Sequence, residues 1–135
     1  AVKIEASSGG FTPKELWSNP DLAPQFNTPV LKDGRLFGLS NRGMLYCLDA
    51  ATGRTLWLDQ AARDRGGFGS IVDLGSALVA LPSSAELVVF KPSGEGYEEL
   101  AKYQVSDAAV YGHPVIAGNL IFVKDDSNLT LWTVK

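Results

Sequence analysis

The chain has 135 residues with 12 basic and 15 acidic side chains, and its net charge of −3 excludes the basic surface that nucleic acids and anionic membranes attract. Its longest apolar runs have about four residues, whereas a helix that spans a bilayer needs about 20. The single cysteine, Cys47, excludes an internal disulfide and a cysteine-rich zinc site. The sequence opens at Ala1 without an initiator methionine, so we expect it to be a piece of a longer protein.

The first predicted element is a strand at residues 12–18. Its segment KELW, at residues 14–17, matches RTLW at residues 54–57, forty residues later. Short runs rich in β-branched and aromatic residues then follow, separated by the proline, glycine and Asp-Gly signals that are typical of turns. The first four of these predicted strands lie at residues 26–30, 35–37, 45–48 and 54–58.

This group of runs recurs along the chain. Residues 26–30 (FNTPV) have a counterpart 42 residues later at 68–72 (FGSIV) and another, 43 residues further on, at 111–115 (YGHPV). The second and third runs of each group keep nearly the same offsets, so the chain consists of internal repeats. The predicted repeats cover residues of about 20–62, 63–107 and 108–135.

A repeat of about 40 residues with four short strands predicts the blade of a β-propeller. We therefore predict an all-β fold with about three four-stranded antiparallel sheets. The third repeat stops before its fourth strand, and the strand at residues 12–18 has no first three strands before it. We expect this N-terminal strand to complete the last blade, because that arrangement protects both strand edges.

The turn after the third strand of the first repeat carries the most specific motif. Residues 47–57 (CLDAATGRTLW) resemble the tryptophan-docking motif of pyrroloquinoline-quinone-like propeller repeats, in which the tryptophan stacks against the neighbouring blade. In such a turn the aspartate and threonine can bond the backbone, the glycine supplies a positive φ, and the tryptophan offers a large flat surface. The predicted blade-docking residues are Asp49, Thr52, Gly53, Trp57 and Trp17.

The resemblance also bears on chemistry. Enzymes of this family bind pyrroloquinoline quinone over the channel mouth, with a calcium ion held by glutamate, asparagine and aspartate and often a pair of adjacent cysteines. The sequence offers no such set, so we predict no catalytic, cofactor-binding or metal-binding residue in it. The favoured hypothesis is a non-catalytic scaffold or binding module that mediates protein interactions in an exported, periplasmic protein.

Two other hypotheses stay open. The first is a fragment of a quinone-dependent oxidoreductase whose active site lies outside this segment. The second is binding of a small molecule or carbohydrate at the channel mouth, where aromatic side chains can stack on sugars.

Four further features have structural interpretations. His113, the single histidine, is predicted to border the channel without a catalytic role, because no second ligand or nucleophile is spaced with it. Cys47 is predicted to be an inert core thiol. Residues 63–67 (RDRGG) are predicted to form a solvated connector between blades, and residues 125–128 (DDSN) a strand turn.

Three blades cannot close a ring, because propellers have about four to eight. We therefore expect the chain to contact either the other blades of a longer propeller or a second copy of itself in a homodimer. A further protein partner is compatible with the sequence, whereas nucleic-acid binding and membrane insertion are not expected.

Overall fold

The computed structural model describes residues 1–64 and 66–134. Arg65, in the predicted connector, and Lys135, at the end of the predicted third repeat, lie outside the described residues. The described chain consists of strands, turns and loops without a helix, which confirms the all-β prediction, and it therefore has no helix that is long and apolar enough to cross a membrane. The strands are β1 (Val2–Ser7), β2 (Gly10–Glu15), β3 (Val30–Lys32), β4 (Arg35–Leu39), β5 (Leu45–Asp49), β6 (Thr55–Leu58), β7 (Gly69–Asp73), β8 (Leu78–Pro82), β9 (Glu86–Phe90), β10 (Glu99–Gln104), β11 (Val115–Ala117), β12 (Leu120–Lys124) and β13 (Leu129–Thr133).

The strands form four antiparallel sheets that follow the repeats. The first blade has the order β3-β4-β5-β6, the second has β7-β8-β9-β10, and the third has the three strands β11-β12-β13. Strands β1 and β2 form a separate two-stranded hairpin. Each blade is a meander in which consecutive strands pair, because the connecting turns are too short for any other route.

The second blade is apolar on both sides. Strand β8 is buried along its whole length, and side chains of successive residues in a strand point to opposite faces. Leu78 and Ala80 therefore pack against the first blade, while Val79 and Leu81 pack against the third. This explains why β8 is a continuous apolar run rather than an alternating one.

Two of the three core clusters lie at the interfaces between blades, and the third joins Leu22 to Tyr46 and Leu48 on the other face of the first blade. Between the first and second blades, Phe37, Leu45 and Cys47 pack against Leu78 and Phe90. A second cluster joins the second and third blades. Its described members are Val79, Leu81, Ala85, Leu87, Val105, Val110, Ile121 and Val123. Complete burial of one such leucine or phenylalanine contributes about 1.5–3 kcal/mol, so the blades stabilise one another and not only themselves.

The N-terminal strand does not pair as expected. Residues 10–15 pair along their whole length with residues 2–7 of the same chain, and the described chain places no fourth strand beside β13. Within one chain, residues 12–18 therefore do not complete the last blade as expected, because β2 pairs with β1 instead of β13. The hairpin needs only the tight turn at Ser8 and Gly9, and closing such a short loop costs much less entropy than closing one across the whole chain.

Each connector between blades is held by a carboxylate and a serine. Asp64 accepts hydrogen bonds from the amides of Gly66 and Phe68, and the Ser83 hydroxyl also donates to it. In the next repeat the hydroxyl of Ser106 donates to Asp125 over 2.6 Å. Positions 64 and 83 shift by 42 residues to 106 and 125, so the aspartate and the serine exchange places between repeats.

Protonation of the Asp125 carboxylate in acid should destabilise the fold. Its bonds from the Ser106 hydroxyl and from the amides of Asn128 and Ser127 lower its pKa from 3.8 to about 2. A carboxylate with a lowered pKa in the folded state stabilises the fold fully above its unfolded pKa and loses that contribution as the pH falls through the folded pKa.

We expect the Tm to fall between pH 4 and pH 2, and Ser106→Ala to make that fall less steep because the variant brings the two pKa values of Asp125 closer. Thermal melts by circular dichroism across this range test it. Ser127→Ala is the matched control, since Ser127 contributes its backbone amide. Identical pH profiles for Ser106→Ala and the unaltered chain would show that Ser106 does not lower the pKa.

Candidate interface between blades

The Trp57 side chain links the first blade to the second. It extends from β6, opposite Cys47 on β5, and is buried at the interface. Its Nε1 donates a hydrogen bond of 2.7 Å to the carbonyl of Ser93, which lies in the turn between the third and fourth strands of the second blade. Phe90 meets the indole at a near-perpendicular angle with ring centroids 6.5 Å apart, a favourable geometry for aromatic pairs.

Tyr97 closes the other side of this aromatic cluster. Its ring centroid lies 5.9 Å from that of Trp57, and the guanidinium of Arg63 lies 4.9 Å from the Tyr97 centroid. Arg63 also pairs with Asp59 at 2.5 Å, so the cation is held over the ring by a second contact. Burial and the hydrogen bond to Glu99 raise the pKa of Tyr97 to about 12.

The turn at residues 49–53 has the local structure that its sequence predicts. One Asp49 oxygen accepts hydrogen bonds from the amides of Ala51 and Thr52 and from the Thr52 hydroxyl. These bonds, with that of the Thr52 hydroxyl first, lower the pKa of Asp49 and keep it ionised. Gly53 follows with a φ of 71°, a left-handed conformation that glycine adopts without steric cost.

Trp17 lies against this turn. Its Nε1 donates to the carbonyl of Ala50 over 3.0 Å, and its ring covers Gly53 so closely that an added Cβ would lie 2.2 Å from a ring carbon. Asn19 strengthens the same contact by donating to the Gly53 carbonyl over 2.8 Å. The two indoles thus make equivalent contacts, each with a carbonyl in the turn of the sheet that follows.

The five residues that the sequence singled out therefore fall into two places. Asp49, Thr52 and Gly53 lie together under Trp17, whereas Trp57 lies against the next turn, at Ser93. Sequence reasoning did not identify the Ser93 carbonyl or Tyr97. A backbone acceptor has no side-chain signature in the sequence. Ser93 could have been found only from its place in the turn of the second repeat that is equivalent to residues 49–53.

The outer face of the third blade is exposed. Val115, Leu129 and Leu131 are 59%, 67% and 55% exposed, respectively. Leu45 and Cys47, which lie 84 residues before Leu129 and Leu131, are both completely buried under the second blade. The same repeat positions are thus buried in the first blade and uncovered in the third.

An aromatic residue precedes the first strand of each blade. Phe26 and Phe68 stack with centroids 4.0 Å apart, and Tyr111 meets the Phe68 ring edge-on at 5.7 Å. These three residues are the first members of the three repeat segments. Beside them His113 borders a cavity of about 340 Å³ that also contacts Thr28, and its Nδ1 lies 3.1 Å from the carbonyl of Pro114.

Groups with chemical potential are separated in the described structure. Cys47 is completely buried, and burial raises its pKa to about 11, so its thiolate is scarce at neutral pH. Within residues 1–64 and 66–134, no three histidine, cysteine, aspartate or glutamate side chains meet as a metal-binding group. The carboxylates of Asp49 and Asp125 are taken up by hydrogen bonds within their own turns. The described residues do not fit the calcium and quinone site of the enzymes in this family.

The family follows from the sequence of almost the whole chain. Residues 3–135 match the family model that is described as outer membrane protein assembly factor BamB. The chain belongs to the BamB family. This confirms the resemblance to pyrroloquinoline-quinone-like propeller repeats that the motif at residues 47–57 indicated.

Solved structures show the same fold as this BamB-family chain. The crystal structure of BamB from Moraxella catarrhalis aligns with a TM-score of 0.64 and 13% identity, over 78% of this chain and 32% of that chain. A chain in the crystal structure of the mitotic checkpoint complex aligns with a TM-score of 0.57 and 16% identity, over 76% of this chain and 33% of that chain. The computationally designed Ika4 protein aligns with a TM-score of 0.51 and 9% identity, over 90% of this chain and 99% of that chain.

The chain spans about a third of the length of the first two matched structures. At these identities the matches establish the propeller fold alone. A search of curated proteins found no significant sequence match.

We expect Trp57→Phe to lower the free energy of unfolding by about 1 kcal/mol, because it keeps the aromatic packing but leaves the Ser93 carbonyl without its donor. Trp57→Ala should cost about 3–5 kcal/mol, since it also leaves a cavity. Urea titration measures both values. Trp132→Phe is the control, because Trp132 is 37% exposed. Equal losses for Trp57→Phe and Trp132→Phe would contradict a role for the hydrogen bond.

Gly53→Ala should destabilise the chain by about 1–2 kcal/mol through its positive φ alone, and by more because the new methyl group meets Trp17. In a Trp17→Ala background the second cost should disappear, so the two substitutions should be non-additive. Gly96→Ala is the control, since a Cβ there meets nothing within 4 Å. Additive effects of Gly53→Ala and Trp17→Ala in urea titrations would argue against the contact.

Proposed function

We propose that this chain is a segment of a non-catalytic protein-interaction scaffold, in which the outer face of the third blade is a docking surface. The observation that carries the proposal is the exposure of Leu129 and Leu131 at positions that the first blade buries, with Val115 exposed on the same face. A contiguous apolar surface of this kind marks a protein interface in soluble proteins.

The shape of the docking surface supports another blade as its occupant. The second blade covers the equivalent face of the first blade, with Leu78 and Phe90 against Leu45 and Cys47. Leu129 and Leu131 repeat Leu45 and Cys47 in position and spacing, so the same kind of surface can cover them. In the described chain, no strand pairs with the outer edge of β13. In the first and second blades, the equivalent edges of β5 and β9 pair with β6 and β10.

The opposite end of the chain supplies a complementary apolar surface. Val2, Ile4 and Ala6 alternate with polar residues along β1, and the register places Phe11 and Pro13 beside them on the same face of the hairpin. All five residues are exposed. We therefore propose that two copies associate head to tail, with the N-terminal part of one chain against the third blade of the other.

In a longer propeller the adjacent blade of the same protein would take this place. The chain covers 32% of the matched BamB structure, so the complete protein's partners are part of the proposal and not of the comparison. The docking surface and its chemistry are the same in either case.

We also propose that the protein is exported, because the matching family model describes a factor of outer membrane assembly. Fractionation of the source cells with an antibody against this chain tests the location. Recovery in the cytoplasmic fraction alone would refute it.

We expect light scattering on a sizing column to give a mass near twice 14.4 kDa for this chain. Leu131→Glu should restore a mass near 14.4 kDa, because it places a charge in the middle of the docking surface. Leu100→Glu is the control, since Leu100 is a half-exposed leucine on β10, outside the docking surface. A single mass near 14.4 kDa at all concentrations would refute the homodimer.

The oxidoreductase hypothesis has a separate test. Titration with pyrroloquinoline quinone and calcium should change neither the quinone absorption spectrum nor the Tm of the chain if it is a scaffold. A saturable spectral change would favour the alternative.

A further inference from the structure

An apolar cavity of about 450 Å³ lies between the second and third blades. The second blade contributes Leu87, Val89 and Ala101, and the third blade contributes Ile121 and Trp132. None of the described side chains that line it carries a charge. The third blade contributes to the cavity the face turned toward the second blade, opposite Leu129 and Leu131.

The repeat explains why this cavity exists. In the first blade, Trp57 on β6 pairs with Cys47 on β5. In the second blade, Ala101 on β10 pairs with Val89 on β9. Because Val89 lies 42 residues after Cys47, Ala101 occupies the position that Trp57 has in the first blade.

The interface between the second and third blades therefore lacks the indole that the interface between the first two blades has. Trp57 fills the space between the first two blades, where it packs against Phe90. Trp132 lies 42 residues after Phe90 and takes its position in the next interface, but it remains 37% exposed and does not close the gap. An apolar void beside a partly exposed ring leaves dispersion contacts unmade, which an apolar ligand can restore.

We propose that this cavity is a binding site for an uncharged indole group. The equivalent position of the neighbouring interface holds the Trp57 indole, so the repeat selects an indole as the group that the cavity takes. Leu87, Val89 and Ile121 supply apolar walls, and Trp132 supplies an aromatic surface for edge-to-face contact. The absence of charge in the described lining selects against indole groups that carry a carboxylate at the ring.

Two probes distinguish the sources of such a group. Free indole represents a small aromatic metabolite, and N-acetyl-tryptophanamide represents a tryptophan side chain on a peptide backbone. We expect saturable binding of indole by isothermal titration calorimetry, with shifted methyl NMR signals of Ala101 and Ile121. Equal binding of the amide would show that a protein partner can supply the group, whereas binding of indole alone would assign the site to a free molecule.

Substitution at Ala101 tests the location. Ala101→Trp should restore the side chain that the first blade has, fill the cavity and weaken indole binding at least tenfold. Leu100→Trp is the matched control, because it adds an indole at the neighbouring residue of β10, which does not line the cavity. It should leave the affinity unchanged. Ala101→Leu provides a smaller filling group if the tryptophan variant does not fold.

Contacts between indole protons and the Ala101 and Ile121 methyl groups provide a measurement that needs no variant. Their observation as nuclear Overhauser effects supports the site. Lack of saturable binding by both probes would overturn the proposal, as would an Ala101→Trp variant with unchanged affinity. The Leu131→Glu variant separates these results from dimerisation, because it alters the opposite face of the third blade and should bind indole as the unaltered chain does.

Discussion

The structure depends on one constraint, which is that a blade has two apolar faces and must cover both. A sheet that stands alone would leave residues such as Leu78 and Val79 in water on opposite sides. The Trp57 indole, on the last strand of the first blade, spans the gap to the second blade. Its Nε1 donates a hydrogen bond to the Ser93 carbonyl there. The position of each blade is therefore set by its neighbour. The far face of the first blade is covered by Leu22, whereas the outer face of the third blade is exposed.

The repeat and the local chemistry of the turns were predictable from the sequence. Asp49 and Gly53 form the predicted turn because their bonds and φ depend on residues close by. The partner of β2 was not predictable, since β1 and the free edge of β13 present similar backbone groups and the choice depends on loop length. The cavity at Ala101 was also hidden, because an irregular register between Glu99 and Ala101 shifts the fourth strand relative to the repeat spacing.

Both proposed sites are apolar, but one is an exposed sheet face and the other is a cavity between two blades. The docking surface around Leu131 is wide and open, so it suits a second sheet. The cavity at Ala101 lies between two blades and has a volume of about 450 Å³, so it suits a small group rather than a sheet. Both are departures from the first blade: the docking surface leaves exposed the positions that the first blade buries, and the cavity has Ala101 where the first blade has Trp57. Departures from the repeat therefore point to function more directly than the repeat itself.

The exchange of aspartate and serine between connectors affects how the blades find their partners. The native pairs are Asp64 with Ser83 and Ser106 with Asp125, and each joins one carboxylate to one hydroxyl. A misfolded chain that placed the first connector on the turn of the third blade would bring Asp64 against Asp125, two negative charges in a half-buried site. The opposite error would pair two hydroxyls and leave both carboxylates without their donors. The exchange therefore disfavours the pairing of a connector with the turn of the wrong repeat.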